Sequence, residues 1–167
     1  MYGAPGAVSA IAGRYFKSEV NMMKKYEKNE ELKKRFEDVV KDAEEGDISA
    51  MLLLARTYTE SEYFPRDTIA AEAWLRKAAE FGDEEAKFQL AKLLSTGNGV
   101  AQNLEEAFNI FHELMLDCNI DAMEEVGIAL KEGKGVEKDE KLGSFYIQQA
   151  FDIELDLMED EKKKEKN

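Results

Sequence analysis

Gly46-Asp47-Ile48-Ser49-Ala50, Gly82-Asp83-Glu84-Glu85-Ala86 and Cys118-Asn119-Ile120-Asp121-Ala122 stand 36 residues apart and occupy equivalent places. Four positions beyond each alanine comes an apolar residue (Leu54, Leu90, Val126), followed by a small one (Ala55, Ala91, Gly127). A second echo keeps the same step: Asp67, Asn103 and Asp139, then Ala71, Ala107 and Gly143, then Trp74, Ile110 and Tyr146. A fixed period of this size marks stacked supersecondary units, none of which can bury its apolar face alone.

Within a unit the apolar residues recur at helical spacing. Ala86, Leu90, Leu93 and Leu94 form one stripe, which predicts a first helix, A. Gly97-Asn98-Gly99 ends it, because Gly97 adopts a left-handed cap at little cost. Asn103 is a good N-cap, with Glu106 three residues on as its capping-box partner. Helix B follows, with Ala107, Ile110, Phe111 and Leu114 facing inward. The next unit restates the plan with Gly133-Lys134-Gly135-Val136, the cap Asp139, and Leu142, Tyr146, Ile147 and Ala150 inward. The earlier unit places Ala50, Leu54 and Tyr58 in A and Ala71, Trp74, Leu75 and Ala78 in B. Its loop, Ser61-Glu62-Tyr63-Phe64-Pro65, lacks the glycines, and Phe64 aligns with Val100 and Val136 as a core residue.

Upstream, Leu32, Phe36, Val39, Val40 and Ala43 fit a helix B one period earlier, preceded by a weaker helix with Phe16, Val20 and Met23. Downstream, residues 154–166 fall where another helix A would begin, but Lys162 to Lys166 are polar throughout. Polar, atypical end units keep a stack soluble, so both ends read as caps.

The run Ala86-x3-Leu90-Ala91-x2-Leu94-x2-Gly97-x-Gly99-Val100-x2-Asn103-x3-Ala107 resembles the Sel-1-like repeat, a relative of the tetratricopeptide repeat. Ala122, Val126, Gly127, Gly133, Gly135, Val136 and Asp139 match it in the following unit, and Trp74, Ala78-Ala79 and Gly82 in the preceding one. The resemblance implies an all-α fold, a right-handed α/α solenoid of about three helix-turn-helix repeats with degenerate helical caps. The expected organisation is an N-terminal cap over 1–45, repeats at 46–81, 82–117 and 118–152, and a polar capping helix or tail over 153–167. It also implies a protein-binding scaffold or adaptor, and the family has no common catalytic residues.

Composition narrows the partners. Of 167 residues, 23 are basic and 36 acidic, a net charge of −13, which repels phosphate backbones. Direct nucleic-acid binding is not expected. No apolar run approaches the roughly 18 residues of a membrane span, and Met1 to Gly13, broken by Gly3, Pro5 and Gly6, do not read as a secretory signal. The lone Cys118 cannot form an internal disulfide and suits the reducing cytoplasm.

Little here promises chemistry. His112 and Cys118 are six positions apart, which on a helix turns them onto well-separated faces, and no third orienting group is evident. One histidine and one cysteine cannot make a typical structural zinc site, and no cofactor is expected. Asp117-Cys118-Asn119-Ile120-Asp121 imitates the opening of a calcium loop, but Ala122 and Ile128 stand where the turn glycine and the bidentate glutamate belong. The paired glycines of the loops lie between helices rather than after a strand, and form no phosphate cradle.

A groove remains. In tetratricopeptide-like stacks the A helices line the concave face, and spacing projects onto it Leu52, Arg56 and Thr59, then Phe88, Lys92 and Ser95, then Glu124, Ile128 and Lys131. Arg56 and Lys92 are equivalent positions, a pair of cations suited to an acidic or C-terminal carboxylate group of a peptide. Tyr63 is a possible aromatic contact in the first loop. The tail Phe151 to Met158 alternates apolar with acidic, spreading apolar groups all round a helix; a cap packed on one side, or a homodimer contact, would cover them. The expectation is a non-enzymatic scaffold that binds another protein or peptide on its concave face. The alternative is a small acidic inhibitor that masks a basic, nucleic-acid-binding surface on its target.

Overall fold

A computed structural model describes residues 29–61 and 64–164. The helix expected around Phe16, Val20 and Met23, and the contact residue Tyr63, lie outside the described residues. Seven helices follow in order within them: α1 (Glu30–Glu44), α2 (Ile48–Glu60), α3 (Thr68–Glu80), α4 (Glu84–Thr96), α5 (Leu104–Leu116), α6 (Ile120–Glu132) and α7 (Glu140–Lys164). All regular structure among the described residues is helical. This is the all-α solenoid class, with about three helix-turn-helix repeats between end caps.

The polar residue of each opening motif starts a helix. Asp47, Asp83 and Asn119 are N-caps whose side-chain oxygens accept from the N–H of Ala50, Ala86 and Ala122 at 2.8–2.9 Å. Each bond satisfies one of the four N–H groups that a helix start leaves unpaired. Asp67, Asn103 and Asp139 cap the B helices in the same way, accepting from Ala70, Glu106 and Leu142. Glu106 completes its capping pair differently from the usual box, accepting from the Asn103 side-chain amide at 2.9 Å. The backbone N–H of Asn103 is already used, because it donates to Leu94 C=O.

That last bond recurs. Asp67 N–H donates to Tyr58 C=O, Asn103 to Leu94 and Asp139 to Leu130, at 3.0, 3.0 and 2.8 Å. The first loop therefore closes with the same tie as the others although it lacks their glycines. Its helix ends differently, since the C-cap Ser61 is extended where Gly97 and Gly133 are left-handed. Phe64 is buried, as its alignment with Val100 predicts.

The chain divides into two compact units within α3, between Lys77 and Ala78. In the first, α1 packs on α2, with the Phe36 ring stacked on Phe64 at 4.6 Å and edge-on to Tyr58 at 6.0 Å. Lys77 Nζ donates to Ala43 C=O near the end of α1, a favourable place for a cation. In the second unit α4 packs on α5, α5 on α6 and α6 on α7. Its core is Ala86, Leu90, Ala91 and Leu94 of α4, Ala107, Phe111 and Leu114 of α5, Ala122 and Val126 of α6, and Ala150 of α7. Each large apolar side chain removed from water there contributes about 1.5–3 kcal/mol.

One expectation meets a different outcome at α7. Leu142, expected inward, is 40% exposed, since it lies about 100° round the helix from Gly143, the residue that meets α6. The helix also runs unbroken from Glu140 to Lys164, across the 152/153 boundary that the period marks. Where the repeats place Gly46-Asp47 or Gly82-Asp83, this stretch has Glu154-Leu155, both good helix formers, so nothing stops the helix. Every residue from Phe151 to Lys164 is exposed.

Candidate functional site

In the second unit α4, α5 and α6 enclose a cavity of about 230 Å3 lined by Lys92, Ser95, Thr96, Leu104, Ala107, Phe108, Phe111, Glu125, Ile128, Ala129 and Lys134. Three of the groove residues projected from spacing, Lys92, Ser95 and Ile128, meet there. Ala107, Phe111 and Ala129 are buried, Phe108 and Ile128 half-buried, and Lys92, Thr96 and Lys134 exposed. The hollow thus grades from an apolar floor to a cationic edge, with Glu125 as its carboxylate.

Packing holds the floor and one of the cations. Phe88 sets its ring edge-on to Phe111 at 5.5 Å, and Lys92 Nζ lies 5.4 Å from the Phe88 centroid, within cation–π range. The hydroxyls are turned into their own helix: Ser95 Oγ donates to Lys92 C=O, and Thr96 Oγ1 bonds to Lys92 and Leu93 C=O. Their oxygen lone pairs are left to accept from a visitor. Gln102 Nε2 donates to Ser95 C=O and ties the loop to the end of α4. Lys134 pairs with Glu132 at 2.6 Å, and that ammonium holds the Glu132 carboxyl below the usual carboxylate range.

The remaining projected residues stand elsewhere. Glu124 and Lys131 are exposed on α6 outside the lining, and the Lys131 Cβ flanks Gly143 of α7. Glu125 and Lys134 are in the lining of the hollow, and spacing projected neither of them. In the first unit Leu52 and Thr59 are half-buried, and Arg56 is exposed on α2. The Thr59 hydroxyl bonds back to Ala55 and Arg56 C=O. A smaller cavity of about 140 Å3 lies on that unit, lined by Leu32, Phe36, Val39, Leu53 and Phe64 among others.

The residues weighed for chemistry are apart. His112 stacks on Phe108 at 5.9 Å, while Cys118 is exposed in the turn after α5, and no hydrogen bond joins them. Cys118 takes φ +68°, the left-handed conformation that Gly46 and Gly82 take at equivalent places. Among the described residues no helix is long and apolar enough to cross a membrane.

The repeats have known relatives. The Sel1 repeat profile matches residues 48–83, 84–113 and 120–152. No curated protein matches the chain. The fold is similar to that of a Sel1 repeat protein from Oxalobacter formigenes, at 28% identity and a TM-score of 0.62, covering 68% of this chain and 87% of that one. It is also similar to c5321, a protective antigen of uropathogenic Escherichia coli strains with an SLR fold, at 27% identity and a TM-score of 0.64. That match covers 70% of this chain but only 25% of the antigen. Helicobacter pylori cysteine rich protein B shares the fold at 19% identity and a TM-score of 0.53, over 71% of this chain and 88% of that one. Three matched repeats at the spacing of the helices leave one conclusion: the chain belongs to the Sel1 repeat family.

Proposed function

We propose that the chain is a non-enzymatic interaction module that holds a peptide of a partner protein over the hollow between α4, α5 and α6. Protein-interaction scaffolding is the general role of Sel1 repeats, and the hollow supplies a place for it. One observation carries the reading: Lys92 and Lys134 edge an apolar cavity whose floor is Phe108, Phe111, Ile128 and Ala129. Such a site takes an acidic group or C-terminal carboxylate at the ammonium groups and its neighbouring apolar side chain on the rings. At about 30 Å3 per water, the cavity has room for several waters, a volume that an apolar side chain can fill instead. The A-helix face that contributes Lys92, Ser95 and Ile128 is the proposed concave face, and Leu52, Arg56 and Thr59 hold the equivalent places on α2.

The test pairs binding with folding. Partner captured from the native source by the wild-type chain should be lost, by about tenfold or more in affinity, in the double variant Lys92→Glu, Lys134→Glu. Circular dichroism should not change, because both side chains are exposed. Undiminished capture by that variant would sink the assignment.

A further inference from the structure

The second half of α7 has no part in that hollow, and among the described residues it gathers five exposed large apolar side chains, Phe151, Ile153, Leu155, Leu157 and Met158. Phe151, Leu155 and Met158 are 59, 46 and 53% exposed. They fall at i, i+4 and i+7, so on the helix they form one seam with the alternating spacing of a coiled-coil core. The seam lies away from Gly143 and Ala150, the buried residues of α7. Isolated apolar residues on a surface mean little, but a run of them along one line of an exposed helix segment suits the docking of another helix.

Charge decides what docks. The positions flanking the seam on both sides are Asp152, Glu154, Glu159 and Glu161, all acidic. Asp152 accepts a hydrogen bond from Gln148 at 2.8 Å, and among the described residues no ion pair reaches Glu154, Glu159 or Glu161. In paired helices these flanking positions meet across the interface and set partner choice. A second copy, parallel or antiparallel, would bring carboxylates against carboxylates, which is destabilising. A helix with an apolar seam flanked by Lys or Arg would meet every one of them with an opposite charge.

We propose that residues 151–161 of α7 form a docking face for a basic amphipathic helix of a partner protein, separate from the hollow at Lys92. The probe is a synthetic three-heptad peptide with Leu along the seam and Lys at the flanking positions; its companion carries Glu there instead. By fluorescence anisotropy with the full chain, the Lys peptide should bind at least about tenfold more tightly than the Glu peptide. Leu155→Asp with Met158→Asp should remove that binding, whereas Leu157→Asp, a third of a turn away, should keep it. Glu154→Lys with Glu159→Lys leaves two basic and two acidic flanking positions, and should erase the preference between the peptides. Lys-peptide binding that survives Leu155→Asp with Met158→Asp would reduce the effect to non-specific charge and overturn the proposal. So would equal binding of the Glu peptide, or a stable dimer of the free chain in sedimentation velocity at micromolar concentration.

Discussion

Gly127 of α6 and Gly143 of α7 face each other so closely that neither can carry a side chain. A Cβ on Gly143 would stand 2.5 Å from the Gly127 carbonyl oxygen, and one on Gly127 would stand 2.8 Å from that of Gly143. The two helices pack backbone to backbone there: the side chain of Ile147, 2.7 Å from a Cβ on Gly127, could give way, but the two carbonyl oxygens and the Lys131 nitrogen are main chain and cannot turn aside. Alanine in place of either glycine gains about 1 kcal/mol of helix propensity, yet it must push the helices apart. Gly143→Ala is expected to destabilise the chain by about 1–3 kcal/mol. A higher urea midpoint for that variant would show that the crossing yields more easily than its geometry requires.

Cys118 offers the opposite case. It occupies a left-handed turn at φ +68° where the equivalent residues are glycines, a conformation that costs a residue with a Cβ about 1–2 kcal/mol. Cys118→Gly should therefore raise stability, by about 1 kcal/mol once the extra freedom of glycine in the unfolded chain is offset. At Gly82, φ +84° with open space around the missing Cβ, alanine should lower it by a similar amount. Denaturant midpoints of the two variants should move in opposite directions.

Leu90 is 3% exposed in the core shared by α4 and its neighbours. Leu90→Ala should cost about 2–5 kcal/mol, a large part of the roughly 5–15 kcal/mol by which a domain is stable. An unchanged melting temperature would contradict its place in that core.

Lys87 of α4 reaches Glu113 of α5 at 2.5 Å, and the hydrogen bond to that carboxylate raises the Lys87 pKa, against a smaller opposing effect of desolvation. Because the folded-state value lies above the unfolded one, the contribution is complete below the ordinary lysine value of about 10.4. It is lost as pH rises through the raised folded value. Glu113 is well exposed, so the pair is worth no more than about 1 kcal/mol. Lys87→Met should flatten the alkaline limb of the stability–pH curve and leave the neutral region nearly unchanged; an alkaline limb as steep as in the wild type would exclude this pair as its source.

Much of the architecture was legible because the repeat writes its own punctuation. The Asp or Asn of each opening motif is an N-cap, and the following alanine both donates to it and sits in the core, so motif and helix start coincide. The pairing of Gly127 with Gly143 was not legible, since each reads separately as a small residue and only the crossing shows that they meet. Of the hollow's lining, spacing projected Lys92, Ser95 and Ile128 but gave no sign of Glu125 or Lys134, because one residue turns a helix by 100° and Lys134 stands in the loop beyond α6. The continuity of α7 had a readable signal that the period obscured: Glu154-Leu155 stands in the stop position and contains no stop.

The tie that closes each loop, from Asp67, Asn103 and Asp139 N–H to a carbonyl nine residues earlier, uses only main-chain atoms. Every amino acid except proline carries the donor, so the tie itself does not depend on which side chain stands at either of its ends. The glycines inside the later loops do not share that freedom, because Gly97, Gly99, Gly133 and Gly135 all take positive φ and a Cβ on Gly135 would meet the Leu104 carbonyl; an engineer seeking a site for new side-chain chemistry should begin with the exposed non-glycine positions Asn98, Ala101 and Glu137.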